Sequence, residues 1–483
     1  MAERAGSNPL KILVLVTPEE NYMVASIHKS LDHKREHRPL LGVLSVATYL
    51  KHHRPHHKLK FVDCRALELS FDDMAEIVRE FEPDLVGLTS LTFNYYDTLQ
   101  AAKHIKATRP SAKVCMGGWH VSLYPEETLA QDAVDYVVFG EGELSFMDLV
   151  DKLEAGEEPL GVQGVGFKRD GASTLGPPRP PNRTLDELPF PDFDLSDISL
   201  YSHLLGKGNI VLPLESSRGC PFACTFCDIR RSRYRRRSSE LICNEMEKWT
   251  DRGIKSFFFV DDNITVNKKL ALELFNDIRD RKLDVDFKVS SRIDGLNEEV
   301  MVAMVEAGVS RVSIGIESSK QKYLDFMEKG IKTEQIIETL ALAKRVGLPV
   351  FAFMMLGLPG QTKKEMLEEA DFLKTHKVRY ASFSILTVYP KTELYRLAKE
   401  SGDLIDDPWP DFAGNPRPDV QAPYMNRLYS PEELKRIQLQ VTRRFYFTPR
   451  NLYRELRETT SWGGFRQRAR VALRLLGKED VRL

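Results

Sequence analysis

Net charge is nearly absent from this chain: 69 Lys and Arg face 70 Asp and Glu, a formal charge of −1 over 483 residues. Phosphate polymers are held by a basic excess, so the global charge implies no nucleic-acid partner. Long hydrophobic runs are missing too, and no stretch approaches the length of a membrane span. The amino terminus reads M-A-E-R-A-G-S-N-P and lacks the apolar core of a signal peptide. Cysteine is scarce, six in all, and nothing marks a secreted chain, which argues against a disulfide framework. A cytoplasmic location is the expectation. The length is too great for one typical domain, so two or three are expected.

Half of the cysteines stand together. The run C-P-F-A-C-T-F-C sets Cys220, Cys224 and Cys227 at the spacing C-x-x-x-C-x-x-C. Three thiolates so placed can hold three corners of a cubane cluster. Such clusters are normally held by four thiolates, so a trio without an obvious fourth leaves one iron open to chemistry. A zinc knuckle would favour paired C-x-x-C patterns with four closed ligands, and three buried free thiols are the plainer alternative. The others, Cys64, Cys115 and Cys243, sit in apolar strand-like or helix-like runs and read as core packing.

Upstream, short apolar strands alternate with amphipathic helices. Strands are expected at 11–16, 59–64, 84–92, 112–118 and 134–140, with helices at 40–50, 72–81, 96–108 and 143–153. Such alternation implies a doubly wound parallel sheet, with ligands beyond the carboxyl ends of its strands. Those ends offer Thr17; Ser90 and Thr92; Gly117, Gly118 and His120; and Gly140, Glu141 and Gly142. Small and hydroxyl residues let a large polar ligand approach the backbone. No G-x-G-x-x-G follows the first strand, so a dinucleotide fingerprint is absent. The boundaries implied are 1–160 for this domain and 161–208 for a proline-rich linker carrying Pro177, Pro178, Pro180, Pro181, Pro189 and Pro191.

Alternation resumes over 209–401. Strands are expected at 210–216, 256–263, 287–292, 309–318, 350–357 and 380–387, six strand–helix units in all. In α/β barrels, catalytic groups gather at the carboxyl ends of strands. Here those ends hold Asp261, Asp262 and Asn263; Ser291 and Arg292; Glu317 and Ser318; and Gly357 through Gly360. A helical C-terminal region is expected over 402–483.

The run S-S-R-G-C-P-F-A-C-T-F-C resembles the signature of the radical S-adenosylmethionine (SAM) superfamily. That resemblance implies a partial (β/α)6 TIM-like barrel and a [4Fe-4S] cluster on Cys220, Cys224 and Cys227. In that family the methionyl group of SAM chelates the open iron, and one electron yields a 5′-deoxyadenosyl radical. It further implies Phe226 near the adenine, and Asp262, Arg292, Glu317, Gly357 and Gly360 around SAM. The order G-G-W-H-V-S-L-Y-P-E-E-T-L, then V-D-Y-V-V-F-G-E-G-E, resembles the Rossmann-like cobalamin-binding domain fused to many of these enzymes. The residues listed above at the ends of the first sheet would then contact cobalamin. The D-x-H-x-x-G motif that supplies an axial histidine elsewhere is replaced by T-P-E-E-N-Y-M-V after the first strand. His120 is expected instead to hold the corrin or its nucleotide tail, with a satisfied structural histidine as the alternative.

The two modules together imply a cobalamin-dependent radical SAM enzyme that methylates an unactivated carbon of a small-molecule or lipid-like substrate, with a reductant such as flavodoxin or ferredoxin. Module order also resembles the anaerobic magnesium-protoporphyrin monomethyl ester cyclases, which implies oxidative cyclisation or other radical tailoring of a tetrapyrrole or lipid. An RNA methylthiotransferase would need further N-terminal cysteines, and a non-catalytic corrinoid or cluster sensor would favour a fully ligated cluster. Two basic stretches stand out. Arg230, Arg231, Arg233, Arg235, Arg236 and Arg237 read as a solvated loop or a grip on an anion. The segment 441–483 has eleven basic residues against four acidic ones. It reads as a helical lid on the barrel, with peripheral membrane contact as the alternative.

Overall fold

A computed structural model describes residues 9–23, 39–201, 210–404, 407–449 and 451. These form two compact units, the first from residues 9–23, 39–201 and 408–421 and the second from the remainder.

The first unit is built on a seven-stranded sheet. Its strands are β1 (Lys11–Val16), β2 (Lys58–Asp63), β3 (Leu85–Thr89), β4 (Lys113–Gly117), β5 (Tyr136–Val138), β6 (Val165–Arg169) and β7 (Ala172–Leu175). The spatial order is β2-β1-β3-β4-β5-β6-β7. The first five run parallel, whereas β6 and β7 pair antiparallel. Because β1 lies between β2 and β3, the strand order reverses there and opens a crevice beyond the ends of β1 and β3. The helices are α1 (Leu41–His53), α2 (Phe71–Phe81), α3 (Tyr95–Thr108), α4 (Trp119–Leu123), α5 (Pro125–Ala130) and α6 (Gly142–Glu154). Strand β1 is an unbroken apolar run because helices cover both faces; Ile12 through Val16 are all buried. Ser70 starts α2 with a reciprocal capping box to Asp73.

Two departures from the sequence expectation fall here. The segment 161–208 is not a plain linker. Its start forms the β6–β7 hairpin, which completes the sheet, and its described remainder, through Tyr201, packs on the same unit. Leu185 and Leu188 are buried against Tyr49, Asp192 N–H donates to Thr48 Oγ1 at 2.8 Å, and Tyr201 Oη donates to Asp63 at 3.2 Å. The C-terminal region also returns to this unit. The short helix Trp409–Gly414 buries Trp409 and Phe412, and its Ala413 carbonyl accepts from Tyr95 Oη at 3.3 Å.

The second unit holds a six-stranded, all-parallel sheet: β8 (Val211–Leu214), β11 (Ser256–Phe259), β12 (Asp286–Ser291), β13 (Val309–Glu317), β14 (Val350–Leu356) and β15 (Tyr380–Ile385), neighbours in that order. Along the chain between β8 and β11 comes a separate two-stranded ribbon of β9 (Ser217–Arg218) and β10 (Arg235–Arg236). Helices α7 (Ser239–Asp251), α8 (Lys268–Asp280), α9 (Glu298–Glu306), α10 (Gln321–Phe326), α11 (Thr333–Val346), α12 (Lys363–Thr375) and α13 (Glu393–Glu400) alternate with the strands. Phe257, Phe259, Phe275 and Phe287 are fully buried between sheet and helices.

The last described helix, Pro431–Tyr446, covers the β15 side of this sheet. Gln438 Nε2 donates to the Phe383 carbonyl at 2.6 Å, and Tyr446 Oη exchanges hydrogen bonds with Ala381. An edge strand is thereby shielded from stray pairing. Of the segment 441–483 expected as a lid, only 441–449 and 451 are described; 450 and 452–483 lie outside the described residues, and with them the choice between lid and membrane contact.

Candidate functional site

In the first unit the expected residues gather at one edge of the sheet. Thr17 follows β1, Ser90 and Thr92 follow β3, Gly117 ends β4 with Gly118 after it, and Gly140, Glu141 and Gly142 join β5 to α6. Gly118 has φ +98°, and a Cβ there would lie 2.6 Å from the Ser90 carbonyl oxygen, so only glycine lets these two loops touch. Thr17 is buried, and its hydroxyl has no hydrogen-bond partner among the described residues. Glu141 is committed to the chain itself, accepting from Asn182 N–H at 3.1 Å.

Of the two roles expected for His120, the structure matches the structural one. Its ring is fully buried, stacked on Tyr95 at 3.8 Å between centroids, close to Tyr124 and Phe412, with Nδ1 3.3 Å from Thr92 Oγ1. It packs the core and has no surface for direct contact with a ligand. Sequence reasoning missed Asp97, whose buried carboxylate accepts from Glu20 N–H, Asn21 N–H and Asn21 Nδ2 at 2.7–3.0 Å and so ties down the loop after β1. It also missed Leu91 and Trp119, large apolar side chains exposed at the same edge. The orphaned Thr17 hydroxyl and the glycine-lined approach fit a large polar ligand, and the described residues directly after β1, 17–23, include no histidine.

In the second unit the three cysteines lie on one loop beyond β9. Gly219, at φ +88°, turns the chain into it, and a Cβ there would sit 2.3 Å from the Arg233 carbonyl oxygen. Cys220 N–H donates to Ser232 Oγ at 2.8 Å, and Ser232 N–H returns a bond to the Cys220 carbonyl at 3.0 Å. Ser216 and Ser217 anchor the entry strand on the buried Asp261 carboxylate. All three cysteines are free thiols. Burial pushes the Cys220 thiol up and the Cys227 thiol up to about 12, so without a metal they stay protonated. Three soft sulfur donors on one pinned loop fit an iron–sulfur cluster with an open corner.

Around this loop the barrel ends converge. Asn263 Oδ1 accepts from Thr265 and from Arg292 N–H. Its Nδ2 is buried without a partner among the described residues, as are Thr225 Oγ1 and Gln361 Nε2. Asp262 stands exposed at the end of β11; the loss of water beside the loop wall, then repulsion from Asp261, pushes its carboxyl up to about 6. Glu317 ends β13 at φ +66° and pairs with Lys329 at 2.8 Å, both buried, while the Lys329 ammonium lies 5.7 Å from the Phe226 ring centre. The loop Gly357–Gly360 is held by Asn426, whose Nδ2 donates to the Leu358 and Gln361 carbonyls at 2.8 and 2.9 Å. Asn426 and Lys329 carried no motif and escaped the sequence reading.

The arginine run is only partly the solvated loop expected of it. Arg235 and Arg237 are buried, and Arg230 bonds the Ala223 carbonyl and Glu328, both at 2.8 Å. Arg230 thereby braces the cysteine loop, while Arg231 and Arg233 are exposed and stay open to solvent or an anion.

Residues 214–373 match the radical SAM superfamily, and residues 37–150 match the B12 binding domain. The chain is 33% identical over 455 residues to an uncharacterized methyltransferase of Pyrococcus horikoshii, an alignment covering 93% of this chain and 95% of that one. It is 26% identical to the anaerobic magnesium-protoporphyrin IX monomethyl ester cyclase of Rubrivivax gelatinosus, over 72% of this chain and 63% of the cyclase. Its fold is similar to that of OxsB, a cobalamin-dependent S-adenosylmethionine radical enzyme solved with aqua-cobalamin and S-adenosylmethionine bound. The TM-score is 0.72 at 16% identity, covering 97% of this chain and 72% of OxsB.

Proposed function

The chain belongs to the radical SAM enzymes that carry a B12-binding domain, and from that premise we propose that it methylates an unactivated carbon of a small-molecule or lipid-like substrate. The observation that carries the proposal is the pairing of a single-loop cysteine trio with an upstream sheet whose open edge ends in Thr17, Ser90 and Gly118. When bound, the cluster with SAM supplies hydrogen abstraction, and cobalamin supplies the methyl group.

The chain's own residues have the remaining tasks. Cys220, Cys224 and Cys227 hold three corners of the cluster. Phe226, Asp262 and Glu317 border the space for SAM, and Gly357 and Gly360 let the backbone come close to its nucleoside. In the first unit, Thr17, Ser90 and the glycines at 117, 118, 140 and 142 line the corrin edge, with Thr92 and Glu141 behind them. A reductant such as flavodoxin or ferredoxin feeds the cluster, and a reducing cytoplasmic compartment suits it.

The test needs no substrate. Anaerobically reconstituted enzyme is incubated with methyl-labelled SAM, a reductant and cobalamin. Label in the bound corrinoid is expected; a corrinoid that binds and stays unlabelled overturns methyl transfer. A second reading, oxidative cyclisation, is favoured by similarity to the Rubrivivax cyclase and would leave the substrate's carbon count unchanged.

A further inference from the structure

Arg292 follows β12, where a carboxylate of SAM would be an obvious partner for its guanidinium. Four of its five N–H donors are otherwise engaged. Nη1 donates to Cys224 Sγ at 3.3 Å; Nε and Nη2 bond the two oxygens of Asp294 at 3.0 and 3.1 Å; Nη2 also donates to the Lys329 carbonyl. The guanidinium carbon lies 3.9 Å from the centre of the Phe222 ring, between Cys220 and Cys224 in sequence. The residue is 6% exposed.

We propose that Arg292 is a positioning residue for the iron–sulfur cluster, holding the Cys224 sulfur and raising the cluster's reduction potential, rather than a clamp for the methionyl carboxylate. This rests on the reading of Cys220, Cys224 and Cys227 as cluster ligands. A guanidinium is always charged, and burial removes the water that would screen it. Reduction adds negative charge to the cluster, so a fixed cation and a hydrogen bond to a ligand sulfur favour the reduced form. Partners behind metal ligands also fix ligand orientation. Asp294, Phe222 and the Lys329 carbonyl lock the fork, so the cation stays at this sulfur whether or not SAM is present.

The test is an EPR-monitored redox titration of anaerobically reconstituted full-length protein, in parallel with Arg292→Gln, Arg292→Lys and Asp294→Asn. SAM binding is measured separately on each by equilibrium dialysis. Arg292→Gln should keep its iron and sulfide content and titrate at a more negative potential. At a fixed potential its reduced-to-oxidised ratio should fall about tenfold, a shift of about 59 mV for one electron. Arg292→Lys should recover part of that shift, and Asp294→Asn, which frees the fork but keeps the cation, should shift less than Arg292→Gln. SAM affinity should change less than threefold. An unchanged potential with SAM affinity lowered tenfold or more overturns the proposal in favour of a carboxylate clamp. If Arg292→Gln loses its cluster, the Arg292→Lys and Asp294→Asn titrations decide, and unshifted potentials in both overturn it. Failure of the underlying reading has a separate signature: Cys224→Ala would retain the cluster.

Discussion

Glu317 and Lys329 face each other with side chains 7% and 6% exposed, 2.8 Å apart. Removing one partner of such a pair strands a buried charge, at about 3–5 kcal/mol. Glu317→Gln should therefore lower the unfolding midpoint of the second unit markedly, and a Glu317→Leu, Lys329→Met double substitution should restore most of it; calorimetry reads both. Equal midpoints for wild type and Glu317→Gln would show the pair to be unimportant for stability. The cysteines make a second prediction at this scale. Because burial raises the Cys220 and Cys227 thiols, cluster loading must expel protons. Loading by iron and sulfide should be more complete at about pH 9 than at about pH 7, and a flat profile would contradict the sign. The cysteines were legible from spacing alone. For His120 the sequence left two roles open, because one of the rings packed on it, Phe412 of the Trp409–Gly414 helix, arrives from nearly three hundred residues downstream.

At the scale of elements, the loops matter more than the strands they follow. Apolar runs and helical periodicity located the parallel strands of both sheets, since a strand buried on two faces has few other ways to read. The β6–β7 hairpin escaped because six prolines just beyond it suggested a linker. Its signal was present as Asp170-Gly171, a turn with φ +50° and +80° that suits two-residue hairpins. The β9–β10 ribbon had no such signal, as two-residue strands carry no period. Two element-level outcomes are expected. Gly118→Ala pushes a Cβ against the Ser90 carbonyl at positive φ, and should weaken cobalamin binding at least tenfold while leaving the cluster's iron content unchanged. Ultrafiltration with corrinoid absorbance measures it, and wild-type retention would mean the β3–β4 contact does not shape the site. Gln438→Leu leaves the Phe383 carbonyl without its donor and should cost about 1–3 kcal/mol, read as a lower unfolding midpoint.

For the whole molecule, two units each present an open edge where the carboxyl ends of parallel strands meet, and each edge fits one cofactor. The B12-binding and radical SAM matches fall one in each unit, which accounts for why a nearly neutral chain with six cysteines carries so much chemistry. Among the described residues no helix is long and apolar enough to cross a membrane. Substrate identity was not legible, because the groups that would choose it carry no motif and no spacing rule. The chemistry done to that substrate can still be read directly. Anaerobic enzyme with cluster and cobalamin is given methyl-labelled SAM, a reductant and the small-molecule fraction of its own host's extract, and the products are weighed by mass spectrometry. The account predicts 5′-deoxyadenosine together with a compound heavier by one labelled methyl group, both lost in Cys224→Ala. Deoxyadenosine released alongside a product that carries no label would contradict it.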